Sequence, residues 1–321
     1  MPPIVAPGLM TMLARGSHEQ GEPINLEDWL CRMFIADDAV PCPAASLTLL
    51  ADGGNPGSDV WYRVDPVHLR IQRDELVLAD NETLAITAEE ATSLTDSLNS
   101  HFREDGLVFQ AVRPNRWYMK LEQPWELQTH SLPSVTGRNI NSFLPHGPDG
   151  LRWHQIANEI QMLLHDHPVN EARETTDEIA INSVWLWGEG SLPKKFHSPY
   201  GSMRSDMPLV HGLAMASNTP WAALPDNGNA WLGEISSEGT HLLTLEQLRG
   251  ASQYGDYYGW QDALTKLDEK WFSPLLAGLR QGSISQLVIH VTDCKRYHCF
   301  KIARSDLWKF WRQAKSIYQF N

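Results

Sequence analysis

On either side of an Arg-Asp-Glu turn at residues 73–75, apolar and polar residues alternate. Leu69 and Ile71 interleave with Arg70 and Gln72 before it, and Leu76 and Leu78 resume the pattern after it. A period of two flanking a polar turn predicts a β-hairpin, and it constrains the fold tightly, because a slip of one residue would turn each apolar side chain to the other face. Downstream, Thr87 stands three residues before Glu90, the spacing of a capping box, and Ala91, Leu94, Leu98 and Phe102 then fall on one helical face. The strands LVFQAV and RWYMKLE follow, separated by Arg-Pro-Asn. With SLTLLAD (46–52) read as a strand and DGGNPGSD as a loop, residues 46–122 predict an antiparallel sheet with a helix laid on it.

Upstream, Asn25 caps a predicted helix over Leu26–Phe34. Between 123 and 150 lie Pro124, Pro133, Gly137, Pro145, Gly147, Pro148 and Gly150, so we divide the chain near 148. Beyond it the pattern predicts helices over 151–165, 205–216, 245–252 and 257–281, strands over 181–187, ISQLVIHVT and HCFKIA, and a closing helix SDLWKFWRQAKSI. The expected class is mixed α+β. Residues 1–148 form an α+β part with antiparallel hairpins, and residues 149–321 form an α/β part.

A net charge of −13 with scattered Lys and Arg disfavours nucleic acid and anionic membranes as partners. A small anionic ligand held by one or two arginines is compatible with it. No apolar run approaches the ~18 residues of a membrane-spanning helix, and Met1–Ala14 lacks the basic start and cleavage pattern of a signal peptide. Cys31, Cys42, Cys294 and Cys299 form no CxxC pair, so the expectation is reduced thiols in a cytoplasmic protein.

Two segments carry the candidate chemistry. In LRWHQIANEIQMLLHDHPVNEAR, His154, Asn158, Gln161 and His165 share a polar, non-ionic helix face opposite the apolar stripe of Trp153, Ile156, Ile160 and Leu164. His165, Asp166 and His167 offer metal-ligand types in a row, but adjacent helical residues point about 100° apart, and we assign no metal and no cofactor. In INSVWLWGEGSLP, Trp185 and Trp187 share one face of a strand, and Gly188 and Gly190 allow a sharp turn at its carboxyl end. The two readings of the indoles are buried packing and a stacking wall for a ligand. Asp65 and His68 in DPVHL, and Arg116 in RWY, read as a turn and a strand end. In DLWKFWRQ, Leu307, Phe310 and Trp311 form an apolar face for packing or for an oligomer contact. The sequence contains no GxSxG, GxGxxG, GxxxxGK[ST] or HExxH motif.

The blocks YRVDPVHLRIQRDELVLAD, NEIQMLLHDHPVNEAR, INSVWLWGEGSLP and RSDLWKFWR, in that order, resemble the RpfE-type regulatory protein family of proteobacteria. Members of that family often carry the label of cofactor-independent phosphoglycerate mutase. The INSVWLWGEG block is similar to one in the archaeal type of that enzyme, which implies a remnant of an alkaline-phosphatase-like fold and a substrate-side loop at Asn182, Gly188 and Gly190. Metal-dependent mutases of that superfamily need two divalent ions, an early Asp-Gly segment, a Ser or Thr that takes up phosphoryl, and a late Asp-His pair. The amino terminus MPPIVAPGLM has no such Asp, and the last 60 residues have no Asp-His pair.

The sequence therefore predicts a regulatory or ligand-binding protein without metal-dependent catalysis. Its expected pocket lies where helix 151–165 meets the loop after Trp187, lined by His165, His167, Asn170, Arg173, Asn182, Trp185, Trp187, Gly188 and Gly190. Arg173 is the expected anion partner. The alternatives are a diverged phosphoglycerate mutase-like phosphomutase or phosphatase, and a protein–protein interaction module. The letters name no protein partner.

Overall fold

The computed structural model describes residues 4–37, 41–72, 75–79, 83–121, 123–235, 238–292 and 295–312. In chain order the elements are α1 (Pro7–Arg15), β1 (Ser17–Gly21), α2 (Leu26–Phe34), α3 (Ala44–Ala51), β2 (Trp61–Gln72), β3 (Glu75–Ala79), α4 (Ala88–His101), β4 (Leu107–Arg113) and β5 (Arg116–Leu121). Then come α5 (Leu132–Val135), α6 (Gly150–His165), α7 (Pro168–Thr175), β6 (Ser183–Gly190), β7 (Ser202–Arg204), α8 (Pro208–Ala216), β8 (Trp221–Ala222), α9 (Gly228–Glu234) and β9 (His241–Leu243). The last are α10 (Arg249–Gln253), α11 (Tyr257–Leu267), a π turn over Asp268–Phe272, α12 (Ser273–Gln281), β10 (Gln286–Val291) and β11 (Tyr297–Ala303).

The chain divides into two compact units, each assembled from separated stretches. One comprises residues 30–198 and 207–219, so position 148 lies inside it; the other comprises 1–29, 199–206 and 220–321.

The first unit is built on β2. That strand pairs antiparallel with β3, β5 and β6, and β4 adds to β5. Strand alternation sends Tyr62, Val64, Trp117, Met119, Val184 and Leu186 into the main core, where they meet Leu94 and Leu98 of α4 and Trp153, Ile156 and Ile160 of α6. The capping box predicted for α4 is present, with Glu90 N donating to Thr87 Oγ1 at 3.2 Å and Thr87 N donating to Glu90 Oε2 at 2.8 Å. Residues of opposite parity face the other way: Trp61 and Tyr118 pack against Ala45 and Leu49 of α3.

The strand expected at 46–52 is helical instead. Ala44, Ala45, Ser46, Leu47, Thr48 and Leu49 are all buried, so this helix carries no polar stripe from which a period of 3.6 could be read. Its hydroxyls are satisfied within the unit, Thr48 Oγ1 donating to Ala44 O at 2.7 Å and Ser46 Oγ to Gly190 O at 2.6 Å. The expectation of reduced thiols is also corrected at one pair. Cys31 and Cys42 form a disulfide, their Cα atoms 5.4 Å apart and well within bridging range. Cys299 is a buried free thiol, and Cys294 lies outside the described residues.

The second unit holds a three-stranded antiparallel sheet, β1-β11-β10, and a small parallel sheet, β8-β7-β9. A buried carboxylate closes its helical core: Asp268 accepts the backbone N–H groups of Gly8 at 3.1 Å and Leu9 at 2.6 Å, neutralising the first turn of α1 across the length of the chain. The predicted long helix 257–281 is present as α11 and α12 joined through the π turn. The helix predicted for 205–216 starts at Pro208, and that for 245–252 is the shorter α10. In place of the predicted closing helix there is a 3-10 turn over Arg304–Trp308, and residues 313–321 lie outside the described set.

Candidate functional site

The nine residues predicted to line one pocket fall into two groups at opposite ends of β6. Eight residues of extended chain separate Asn182 from Gly190, roughly 25 Å at the rise of a strand.

The first group, at the start of β6, consists of braces. Asn182 Oδ1 accepts Leu69 N at 2.7 Å and its Nδ2 donates to Leu69 O at 2.8 Å, so a side-chain amide supplies the next rung of the β2 ladder. Asn170 does the same one turn away, its Nδ2 donating to Leu164 O and Ile181 O and its Oδ1 accepting Ile181 N. His167 caps α7, Nδ1 accepting Val169 N at 3.2 Å, while Nε2 lies 2.9 Å from Ser97 Oγ. Burial holds the pKa of this imidazole below its ordinary value. His165 is exposed on the last turn of α6. Arg173, the predicted anion partner, is only 2% exposed. Its Nη1 donates to both Glu90 carboxylate oxygens at 2.8 and 2.9 Å, its Nε to Ile179 O at 2.8 Å, and its Nη2 to Leu84 O. The guanidinium is thus spent on tying α7 to the start of α4.

The second group, at the end of β6, faces α3. Trp185 and Trp187 project to the same side, as their spacing predicts, and both are buried. Gly188 has φ +68° and Gly190 φ +150°, and a Cβ on Gly190 would stand 2.7 Å from Pro43 Cβ. These glycines let the strand pass directly beneath the start of α3. Alongside Trp187 lies a charge cluster that the sequence reading took for a turn and a strand end. Arg63 donates to Asp65 Oδ1 from Nε at 3.0 Å and Nη2 at 2.6 Å, and from Nη1 to Thr48 Oγ1 at 3.2 Å. Its guanidinium carbon sits 5.1 Å from the Trp187 ring centroid and 5.4 Å from that of Tyr118. Trp187 Nε1 donates to Asp65 Oδ2 at 2.7 Å.

The ladder continues through Tyr118 Oη, which donates to Asp52 Oδ2 at 2.6 Å, and through Arg116, which grips both Asp52 oxygens at 2.9 and 2.5 Å. Burial pushes the Asp65 carboxyl up, and the Arg63 charge and the Trp187 hydrogen bond pull it back. Burial likewise raises the Tyr118 phenol. At Asp52 burial acts upward too, but the hydrogen bonds from Arg116 and Tyr118 outweigh it and the pKa ends low. Alternating charges that satisfy one another this fully form a rigid wall, with the bonded groups turned toward each other.

The reactive-looking surface lies beside that wall, on the loop 128–146. Trp185 Nε1 donates to His130 O at 2.8 Å and Thr129 Oγ1 to Glu189 Oε2 at 2.7 Å, which pins the loop to β6. Gln128 and His146 pair through their backbones at 2.7 and 3.2 Å. Phe143 organises the rim: the His130 ring meets it edge-on at 5.2 Å, and the Arg138 guanidinium covers it at 4.5 Å. Burial, with the His146 and Arg138 charges behind it, lowers the His130 pKa. A neutral imidazole beside a guanidinium and a second imidazole offers donors and positive potential to a small anion. The density of Pro and Gly in 123–150 is the signal in the sequence for this loop.

The family of 2,3-bisphosphoglycerate-independent phosphoglycerate mutases matches residues 55–170, a span that includes Arg63, Asp65, His130, Arg138 and His146. A probable 2,3-bisphosphoglycerate-independent phosphoglycerate mutase of Geobacter sulfurreducens is 25% identical over 261 residues, 75% of this chain and 64% of its own length. Residues 55–170 are similar to these phosphoglycerate mutases.

Similar enzymes of the same name from Methanosarcina mazei and Methanothrix thermoacetophila are each 27% identical, over 54% and 68% of this chain and 44% and 59% of their own. The chain thus spans 44% to 64% of the length of these relatives. A solved protein from Pyrococcus horikoshii shares its fold with a TM-score of 0.53 at 13% identity, covering 93% of this chain and 80% of that one. The solved cofactor-independent phosphoglycerate mutase of Thermoplasma acidophilum aligns with a TM-score of 0.47 at 14% identity, over 98% and 86% of the two chains.

The resemblance to metal-dependent mutases asks for clustered carboxylates and imidazoles. Among the described residues, no group of three or more His, Cys, Asp or Glu is placed to hold a metal ion. Among the described residues, Asp52 and Asp65 do not fit a dinuclear centre, since each is committed to arginine and to a ring hydroxyl or indole.

Proposed function

We propose that this phosphoglycerate mutase-like protein acts by recognising a small phosphorylated carboxylic acid at the rim formed by His130, Arg138 and His146. Its role is regulatory, in keeping with the RpfE-type sequence blocks. The observation that carries the reading is the packing of both Arg138 and His130 on the Phe143 ring, inside the segment similar to enzymes named for phosphoglycerate. Arg138, whose Nη1 donates to Ser134 O at 3.1 Å, supplies a fixed positive charge suited to phosphate or carboxylate. The Arg63–Asp65 wall and the Trp185 bond to the loop hold the rim still without contributing a reacting group.

A second reading, turnover as a phosphomutase or phosphatase, is favoured by the names of the relatives. One experiment separates the two. Purified protein is mixed with 3-phosphoglycerate, with and without manganese, while its melting temperature and the appearance of 2-phosphoglycerate or free phosphate are followed. The binding reading expects a rise in melting temperature that Arg138→Ala abolishes, with no product. Metal-dependent product formation would establish the enzymatic reading instead, and no shift with any phosphorylated three-carbon acid would remove the binding reading.

A further inference from the structure

The second unit ends, within the described residues, on an aromatic turn that the reading above does not use. Trp308, Phe310 and Trp311 are 77%, 73% and 67% exposed, three large rings within four residues. They are not a loose tail. Leu307 packs onto the core of the unit, Arg15 Nη1 donates to Leu307 O at 2.7 Å, and Arg312 Nη1 donates to Gly16 O at 3.2 Å. Lys309 N and Arg312 N close successive turns on Asp306 O and Lys309 O. The turn is clamped to the end of α1, and its rings stand outward from a fixed base.

Cations are interleaved with the rings. Residues 304–312 contain Arg304, Lys309 and Arg312 against the single carboxylate of Asp306, which pairs with Lys309 Nζ at 2.6 Å, and Arg15 adjoins them, in a chain whose net charge is −13. At 150–250 Å² per aromatic side chain, the exposed area is roughly 500 Å², short of the ~800 Å² per partner typical of a stable protein interface. Self-pairing of the turn would also set its cations against their own copies. Rings that prefer the boundary between water and hydrocarbon, flanked by basic groups, fit a different surface.

We propose that the turn Leu307–Arg312 is a peripheral docking site for an anionic lipid bilayer, with Trp308, Phe310 and Trp311 entering the headgroup region and the exposed side chains of Arg304 and Arg312 meeting lipid phosphates. Basic residues near such a surface are drawn to its phosphates, and the repulsion of the acidic remainder is screened within about 8 Å at physiological salt. No helix among the described residues is long and apolar enough to cross a membrane, so the association is with one leaflet.

The test is co-sedimentation of the full chain with vesicles of equal parts phosphatidylglycerol and phosphatidylcholine, against vesicles of phosphatidylcholine alone, with sedimentation-equilibrium mass measured in parallel. The docking site expects pelleting with the anionic vesicles that weakens with salt and falls about tenfold or more in a Trp308→Ala/Trp311→Ala variant. Both residues are exposed, so the variant is expected to keep the parent's melting temperature, and circular dichroism checks this. Absence of pelleting, equal pelleting of parent and variant, or a dimer that the variant dissolves would each overturn the proposal, the last by assigning the turn to a second copy of the chain.

Discussion

Arg63 Nη2 lies 2.6 Å from Asp65 Oδ1, and both side chains are shut off from water beneath α3. A charge buried without its counterpart is costly, so the pair holds only while both members are present. Asp65→Ala is expected to lose about 3–5 kcal/mol of unfolding free energy. The double change Arg63→Met/Asp65→Leu is expected to lose distinctly less, because it removes both charges together. Urea midpoints of the three proteins check this, and a double variant as damaged as the single one would contradict it.

Arg173 and Glu90 are expected to report on folding rather than on ligand binding. Arg173→Ala strips Leu84 O, Ile179 O and the Glu90 carboxylate of their donor and is expected to lower stability by about 3 kcal/mol. Burial raises the Glu90 pKa, but hydrogen bonds from Thr87 and Arg173 outweigh it and the net shift is downward. A depressed carboxyl contributes stability that is present above its unfolded value, about 4.3, and is lost as pH falls through the lower folded value. Glu90→Gln is expected to flatten that acid limb, measured by thermal melts below neutral pH.

Gly190→Ala tests the seating of β6 under α3. With φ at +150° and a Cβ 2.7 Å from Pro43 Cβ, the substitution meets both backbone strain and collision. A loss of about 1–3 kcal/mol is expected. Gly233→Ala, where a Cβ meets nothing within 4 Å, is the control and is expected to be neutral or slightly stabilising.

His18 and His298 hold an edge of the second unit's sheet. Their nitrogens lie 2.9 Å apart, and burial, together with the His298 charge, keeps the His18 pKa low. An imidazole with a depressed folded pKa contributes stability that is fully present above its unfolded value of about 6.5 and is lost as pH falls through the window beneath it. The protection factors of the Ser17–Gly21 amides, exchange rates normalised to the intrinsic rate at each pH, are therefore expected to fall on acidification from about pH 8 to 5. His18→Phe should remove most of that dependence while keeping the stack on Phe300, whose ring centroid lies 4.3 Å away.

Features written in local spacing were legible from the sequence. The Thr87–Glu90 cap, the hairpin around residues 73–75 and the shared face of Trp185 and Trp187 each depend on residues within a few positions of one another. The helix α3 was not legible, because burial on every side erases the polar stripe that distinguishes a helical run such as Ala-Ser-Leu-Thr-Leu from a strand. The site was legible only in its outline. Nothing near Arg173 announces Glu90, 83 residues away, and nothing near Trp187 announces Asp65, 122 away. Arg173, His167, Asn170 and Asn182 are turned inward to such distant neighbours, and only His165 stays exposed.

The closeness of α8 to α3 sets an order on how this chain can mature. Gly212 lies so near the Leu47 carbonyl that no side chain could stand between them, and Leu209, Val210 and Leu213 are buried beside it. A nascent chain emerging from the ribosome therefore leaves its early hydrophobic helix without a roof until some 160 further residues have been made. A gene fragment cut to the 55–170 stretch shared with the mutases would carry Trp61 and Tyr118 but neither covering helix, and is expected to aggregate unless synthesised together with its flanks.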